Sequence, residues 1–261
     1  MSPISVADWI ATQDHYRFWW HQIPGNDYEP LCYAVLSDEE KSLMISWFEA
    51  TADHYVGECS VPMASLIAGL VGGNGTSRVV QLGHYSGYST LLTGFLLKRM
   101  GRRKALISFD IDEEVTAFTQ TWIDRAGLAD VVRLELLDSA DPQAVARATA
   151  YFDGADPQVV FIDSSHQYAH TLLEYRNWQP ALAPGGMFIM HDVSRQATAY
   201  DSTSAGGVMR AALELRSMGA PTPLLINSEV GPGGHIAEDL SVLADWAYQD
   251  GCGVGLLQKP Y

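Results

Sequence analysis

From Arg78 onward, short apolar runs alternate with longer stretches of helical character. Val79–Leu82, Ala105–Phe109, Val131–Leu137, Val159–Ile162 and Met187–Met190 are brief and apolar with little alternation. That is how strands covered on both faces read. Tyr88–Met100, Glu113–Ala126, Pro142–Tyr151 and Tyr168–Leu182 lie between them and read as helices. Strand–helix alternation predicts right-handed crossovers and an α/β, doubly wound parallel sheet. Further on, a polar loop over 193–204 leads into a helix from about Gly206 to Met218. Pro223–Asn227 and Val254–Gln258 read as two more strands, with a helix at Ile236–Asp250 between them and a flexible Gly231-Pro232-Gly233-Gly234 lead-in.

The first third is patterned differently. Residues 1–75 form an aromatic-rich helical extension, and 76–261 the sheet domain. Trp9, Tyr16, Phe18, Trp19, Trp20, Tyr28 and Tyr33 crowd the start, broken by Pro24, Gly25 and Pro30. Ser37 and Glu40 have the spacing of a capping box, opening a helix that runs to about Ala52. A second helix is predicted over Pro62–Val71, stopped by Gly72-Gly73-Asn74-Gly75. Trp47-Phe48, with Leu43 and Met44, reads as core. The earlier aromatics fit either a lid over an apolar or aromatic ligand or a flange packed on the sheet or a second subunit.

Composition narrows the class. At 261 residues and 47% apolar content the chain is long enough to bury a core without staples. A net charge of −15 argues against a nucleic-acid binder, which needs basic stripes. No 18-residue apolar run is present, so no membrane span is expected. Three scattered cysteines, Cys32, Cys59 and Cys252, without a secretory signal fit a reducing cytoplasm. A homodimer is the default assembly.

In doubly wound sheets, ligands sit beyond the carboxyl ends of the strands, so chemistry is sought there. The first strand runs into Gly83-His84-Tyr85-Ser86-Gly87-Tyr88-Ser89, two glycines and then a helix N-terminus. It is a close-approach turn for a ligand or an ordinary strand–helix turn. It lacks the third glycine of the dinucleotide fingerprint. The second strand ends in Asp110-Ile111-Asp112, with Asp110 placed for ribose hydroxyls and Asp112 for capping the next helix. The third ends in Asp138-Ser139, where a carboxylate suits an exocyclic amine or a cap. The fourth and fifth deliver Asp163, His166, His191 and Asp192 to one region. Carboxylates there suit Mg²⁺ or Mn²⁺, imidazole suits softer metals, and His166 also suits a general base.

These turns resemble the class I S-adenosylmethionine-dependent methyltransferases. Val79–Ser89 resembles the glycine-rich first motif of the catechol and caffeoyl-CoA O-methyltransferase type, with Gln81 where an acid is usual. Phe161-Ile162-Asp163-x-x-His166-x-Tyr168 and Pro184-Gly185-Gly186 leading to His191-Asp192 resemble the bacterial branch of macrocin, mycinamicin and rhamnosyl O-methyltransferases and cephalosporin hydroxylase-like proteins. The resemblance implies a Rossmann-like seven-stranded sheet ending in an antiparallel hairpin, and transfer of a methyl group to a hydroxyl of a small molecule in specialised metabolism. It implies S-adenosylmethionine held by Gly83, Tyr85, Ser86, Gly87, Ser89, Asp110, Asp138, Ser139 and Asp163. His166 is implied as the base beside Asp163, and Asp163, His191 and Asp192 as holders of Mg²⁺ where a metal is used. Gln81 and His191 depart from the pattern, which keeps a non-catalytic partner subunit or a different reaction on the same fold in view. A nucleotide-binding oxidoreductase is disfavoured by the missing third glycine.

Overall fold

Val79–Leu82 has no exposed residue, and its side chains serve two separate cores: Val79 points to one face of a sheet, Val80 and Leu82 to the other. In the computed structural model, which describes residues 5–13, 16–54, 57–217, 220–229 and 239–261, this strand (β1) lies at the sheet centre. Before it come helices α1 (Val6–Ile10), α2 (Leu31–Ala34), α3 (Asp38–Thr51) and α4 (Val61–Gly73). A 3₁₀ segment, Tyr16–Gln22, lies between α1 and α2. After it alternate α5 (Tyr88–Arg99), β2 (Leu106–Asp110), α6 (Glu113–Arg125), β3 (Val132–Leu136), α7 (Pro142–Tyr151), β4 (Val159–Ile162), α8 (Tyr168–Ala181) and β5 (Met187–His191). Helix α9 (Gly207–Ser217), β6 (Leu224–Ile226) and β7 (Val254–Gln258) complete the order.

The strands are arranged β3-β2-β1-β4-β5-β7-β6. The first five are parallel, and β7 runs antiparallel to both β5 and β6. The predicted doubly wound sheet with a terminal antiparallel pair is therefore present. Both faces are covered, which is why period-2 alternation was missing from the sequence. One core combines β1 residue Val79 and β4 residue Phe161 with α3–α5; the other combines Val80 and Val160 with α7, α8 and α9.

Ser37 and Glu40 form the expected capping box: Ser37 Oγ accepts from the Glu40 N–H, and Glu40 accepts from the Ser37 N–H at 2.7 Å. Trp47 and Phe48 are core, as the pattern indicated. Trp47 Nε1 also donates to the Ser86 carbonyl at 2.8 Å, and Tyr33 and Tyr88 share a 2.7 Å hydroxyl pair. The N-terminal helices thus grip the glycine-containing turn directly.

The helix expected over Ile236–Asp250 does not form. Residues 236–238 and the Gly231–Gly234 lead-in lie outside the described residues. Of the rest, Leu240–Leu243 makes one 3₁₀ turn and the chain then runs in turns to β7. Tertiary hydrogen bonds override the local pattern here. Asn227 Nδ2 donates to the carbonyls of Tyr248 and Asp250, and Gln249 accepts from Asn26. Those contacts bring Asp250 to the carboxyl end of β5, 3.3 Å from His191 Nε2.

Replacing Trp47 with Phe should cost about 1–3 kcal/mol, because it removes the indole N–H that the buried Ser86 carbonyl accepts. A lowered urea midpoint with unchanged denaturant slope checks this.

Candidate active site

The strand order reverses direction between β1 and β4, and the two turns that leave these strands meet face to face. Gly83 has φ +89°, and a Cβ there would lie 2.1 Å from the Asp163 carbonyl oxygen. No other residue fits. Gly87 (φ +94°) caps the N-terminus of α5, and a Cβ there would meet Thr119 at 2.7 Å. Three non-glycine residues in this region also have positive φ: Tyr85, His166 and Asp192. Such strained backbone gathers where surrounding structure over-determines it.

Two adjoining cavities open over these strand ends. The first, about 340 Å³, is lined by Gly83, Tyr85, Ser86, Ser89, Asp110, Asp138, Ser139, Asp163 and His166 among others. Of the residues expected around the cofactor, only Gly87 does not line it; its part is to shape the turn. The second, about 540 Å³, is lined by aromatic rings including Phe18, Trp19, Trp20 and Tyr200, with Asp163, His166, His191 and Asp192 at one end. Asp163 and His166 border both.

Asp110 is held firmly. Its Oδ2 accepts the N–H groups of His84 and Tyr85, and Oδ1 those of Ile111 and Asp112. It is a pre-set carboxylate that ties β2 to the β1 turn. Asp112 caps α6 by accepting from the Val115 N–H, as expected. Gln81 is buried and braces the turn internally: Nε2 donates to the Gly83 carbonyl and Ser89 Oγ, and Oε1 accepts from Thr90. It does not line either cavity.

The sequence reading missed His84, His170, Glu174 and Asp250. Burial pushes the buried His84 imidazole down to about 4, against the pull of Asp110, so it is neutral near pH 7. His170 Nε2 sits 2.9 Å from Asp138 Oδ1, and Nδ1 faces Glu174 Oε1 at 3.5 Å. Burial opposes its charge, but pairing with Glu174 and then Asp138 outweighs it and raises the imidazole to about 9. The i, i+4 spacing of His170 and Glu174 on one helix was the available signal.

At the reacting end, His166 Nε2 lies 3.2 Å from Asp192 Oδ2 and 3.8 Å from Asp163 Oδ1. His191 Nδ1 is 3.3 Å from both Asp163 Oδ1 and Asp192 Oδ2, and its Nε2 is 3.3 Å from Asp250 Oδ2. Burial disfavours the His191 imidazolium, yet Asp192, Asp163 and Asp250 together hold its pKa well above the ordinary range. Burial likewise opposes the Asp163 carboxylate, but His191 and His166 keep its pKa below the usual range.

Asp163, His191 and Asp192 do converge, with donor atoms within 4.8 Å of one another. The donor set nevertheless does not fit Mg²⁺. His191 brings an imidazole nitrogen, a softer donor than the oxygens that Mg²⁺ takes. The same carboxylate oxygens that would face the ion already face imidazole nitrogens, and Mg²⁺ demands oxygen ligands in near-octahedral array.

With this geometry in place, relatedness can be read. Residues 80–193 match the methyltransferase domain family model. Among solved structures, the O-methyltransferase from Bacillus cereus in complex with S-adenosylhomocysteine has a TM-score of 0.60 at 17% identity, covering 86% of this chain and 93% of that one. The O-methyltransferase TomG from Streptomyces achromogenes, involved in tomaymycin synthesis and bound to S-adenosylmethionine, scores 0.62 at 18% identity over 87% and 93%. The methyltransferase PaMTH1 from Podospora anserina scores 0.62 at 11% identity over 84% and 88%. Among curated proteins, none matches by sequence.

This is a methyltransferase fold. In methyltransferase terms, the first cavity lies at the carboxyl ends of β1–β4, and the N-terminal aromatic segment walls the second. Among the described residues, no helix is long and apolar enough to cross a membrane.

Because the folded-state pKa of His170 is about 9 against an ordinary 6.5, its stabilising contribution is full below pH 6.5 and is lost as pH rises through about 9. Burial opposes the Asp138 carboxylate, but the Ala140 N–H and His170 hold its carboxyl below the ordinary range, so it stays charged throughout that window. Denaturation midpoints of the wild type and His170→Asn should therefore differ most at pH 6.5 and converge above about 9.

Proposed function

We propose that the chain is an S-adenosylmethionine-dependent O-methyltransferase acting on a hydroxyl of a small aromatic molecule. The observation that carries the reading is the position of His166. It borders both cavities, and its imidazole is paired with Asp192. When bound, the cofactor supplies a methyl group on a sulfonium, already a good leaving group. The first cavity suits it in size, in its close-approach glycine and in its carboxylates at three strand ends.

Asp110 supplies the fixed acceptor for ribose hydroxyls, and Asp138 with Ser139 the polar edge for the adenine. Tyr85, Ser86 and Ser89 line the remainder beside Gly83 and Gly87. In the second cavity the rings of Phe18, Trp19, Trp20 and Tyr200 stack against a planar acceptor and exclude water. Segment 1–75 thereby serves as the wall and lid of the acceptor site. His166 Nε2–H faces Asp192 and Asp163, so the acceptor's hydroxyl proton goes to the other ring nitrogen, Nδ1, and the two carboxylates stabilise the imidazolium that results. Orientation of the hydroxyl by these side chains supplies the alignment that direct displacement needs. No step passes through a metal. An aromatic acceptor and the likeness to a natural-product enzyme favour specialised-metabolite tailoring as the setting.

Calorimetric titration of S-adenosylhomocysteine tests the cofactor reading. Micromolar binding is expected, weakened about tenfold or more in Asp110→Ala, where four backbone donors lose their acceptor; absence of binding to the wild type sinks the proposal. Mg²⁺ and a chelator should each leave the affinity within about twofold. His166→Ala should bind the cofactor product normally but transfer methyl to phenolic acceptors about 10²–10⁴ times more slowly. Near-wild-type turnover in that variant removes His166 from the mechanism.

A further inference from the structure

Glu174 is completely buried in a part of the molecule the transfer reaction does not use. Its Oε1 accepts from Ser139 Oγ, which follows β3, and from Ser164 Oγ, which follows β4. Its Oε2 has no hydrogen-bond partner among the described residues. A buried carboxylate with so few donors requires a counter-charge nearby. His170, one turn earlier on α8, faces it and also bonds to Asp138. Asp138, Ser139, Ser164 and His170 all line the first cavity. Trp178, on the same helix, donates Nε1–H to the Ser139 carbonyl at 2.9 Å. One face of α8 therefore sets the strand-end residues that border one end of that cavity.

We propose that His170, seated on Glu174, is a positioning residue that fixes the Asp138 carboxylate as an acceptor for a 6-amino purine and so sets the base preference of the cofactor pocket. The inference rests on reading the first cavity as the S-adenosylmethionine site, and it adds a residue with a defined role to that site. The geometry supplies the logic. Both hydrogen bonds that Asp138 accepts, from the Ala140 N–H at 2.8 Å and from His170, fall on Oδ1. They orient the group and leave Oδ2 as an acceptor. A carboxylate only accepts. It matches the exocyclic amine of adenine and opposes the 6-oxo group of hypoxanthine. Removing His170 frees Asp138 to rotate and takes away the imidazole that Glu174 faces, so discrimination at this edge relaxes.

The test compares binding of S-adenosylhomocysteine and S-inosylhomocysteine by calorimetry in the wild type, His170→Ala and His170→Gln, with circular dichroism confirming that each is folded. The wild type should prefer the adenosyl compound by about tenfold or more, since a mismatched polar edge is penalised on binding. In His170→Ala the adenosyl compound should bind about tenfold more weakly and the preference should shrink to about twofold. His170→Gln keeps a polar side chain at the position but removes the positive charge between Asp138 and Glu174. It decides the question should the alanine variant fail to fold, with the same narrowing expected. An unchanged preference in folded variants overturns the inference, even if both ligands weaken equally, because that pattern marks a purely structural residue. A wild type that binds neither compound overturns the cofactor reading itself, and this inference with it.

Discussion

The close contact between the turns leaving β1 and β4 is the constraint from which the site follows. The Asp163 carbonyl occupies the space that a side chain at position 83 would need. Parallel strands that diverge at a switch point leave a crevice there, and the glycine lets its floor be drawn tight. Gln81 braces the turn from below and Trp47 from the side. Asp110 ties the turn to β2. These are different chemical means to one end: backbone N–H and C=O groups of an exposed-looking loop are satisfied by buried side chains, so the loop keeps its shape without a ligand.

Charge is the second organising feature. The chain has nearly twice as many acidic as basic side chains, and after β3, β4 and β5 its carboxylates are faced by histidines. His166 and His191 stand among Asp163, Asp192 and Asp250, and His170 between Asp138 and Glu174. Burial works against the charges of Asp163, His170 and His191, and each is sustained by its neighbours. Such clusters are costly to break at one member, because the survivors are left unpaired in a low-dielectric setting. Three carboxylates around the His191 imidazole give it the surroundings of a cation.

The aromatic N-terminus joins structure to function. Trp9, Phe18 and Phe48 form a ring cluster with centroids 5.3–5.8 Å apart. The Arg17 guanidinium lies 4.9 Å from the Trp47 ring centroid and is ion-paired with Glu58. The outer side of this segment packs as a flange, and its inner rings wall the larger cavity. Large rings contribute area to a core and a flat apolar surface to a pocket at once.

Local chemistry made much of this legible in the sequence alone. The strand–helix alternation, the Ser37 capping box, the Asp112 and Asp141 caps and the clustering of Asp and His after successive strands depend on residues close in the chain. So does the place of Gly83, since a strand–glycine–helix succession reports a tight turn wherever it occurs. Tertiary structure alone decided the rest. Asp250 comes to His191 across the sheet from a segment whose pattern read as helix, drawn out by Asn227 and Gln249. Glu174 looks like an ordinary helix-surface acid until α8 is docked with that face inward. His191 shows no partner for its second nitrogen in the sequence, and the fold sets Asp250 3.3 Å from it. In each case the deciding partner is far away in sequence, and the cost of burying an unpaired charge, which selects that partner, exists only once the chain has folded around it.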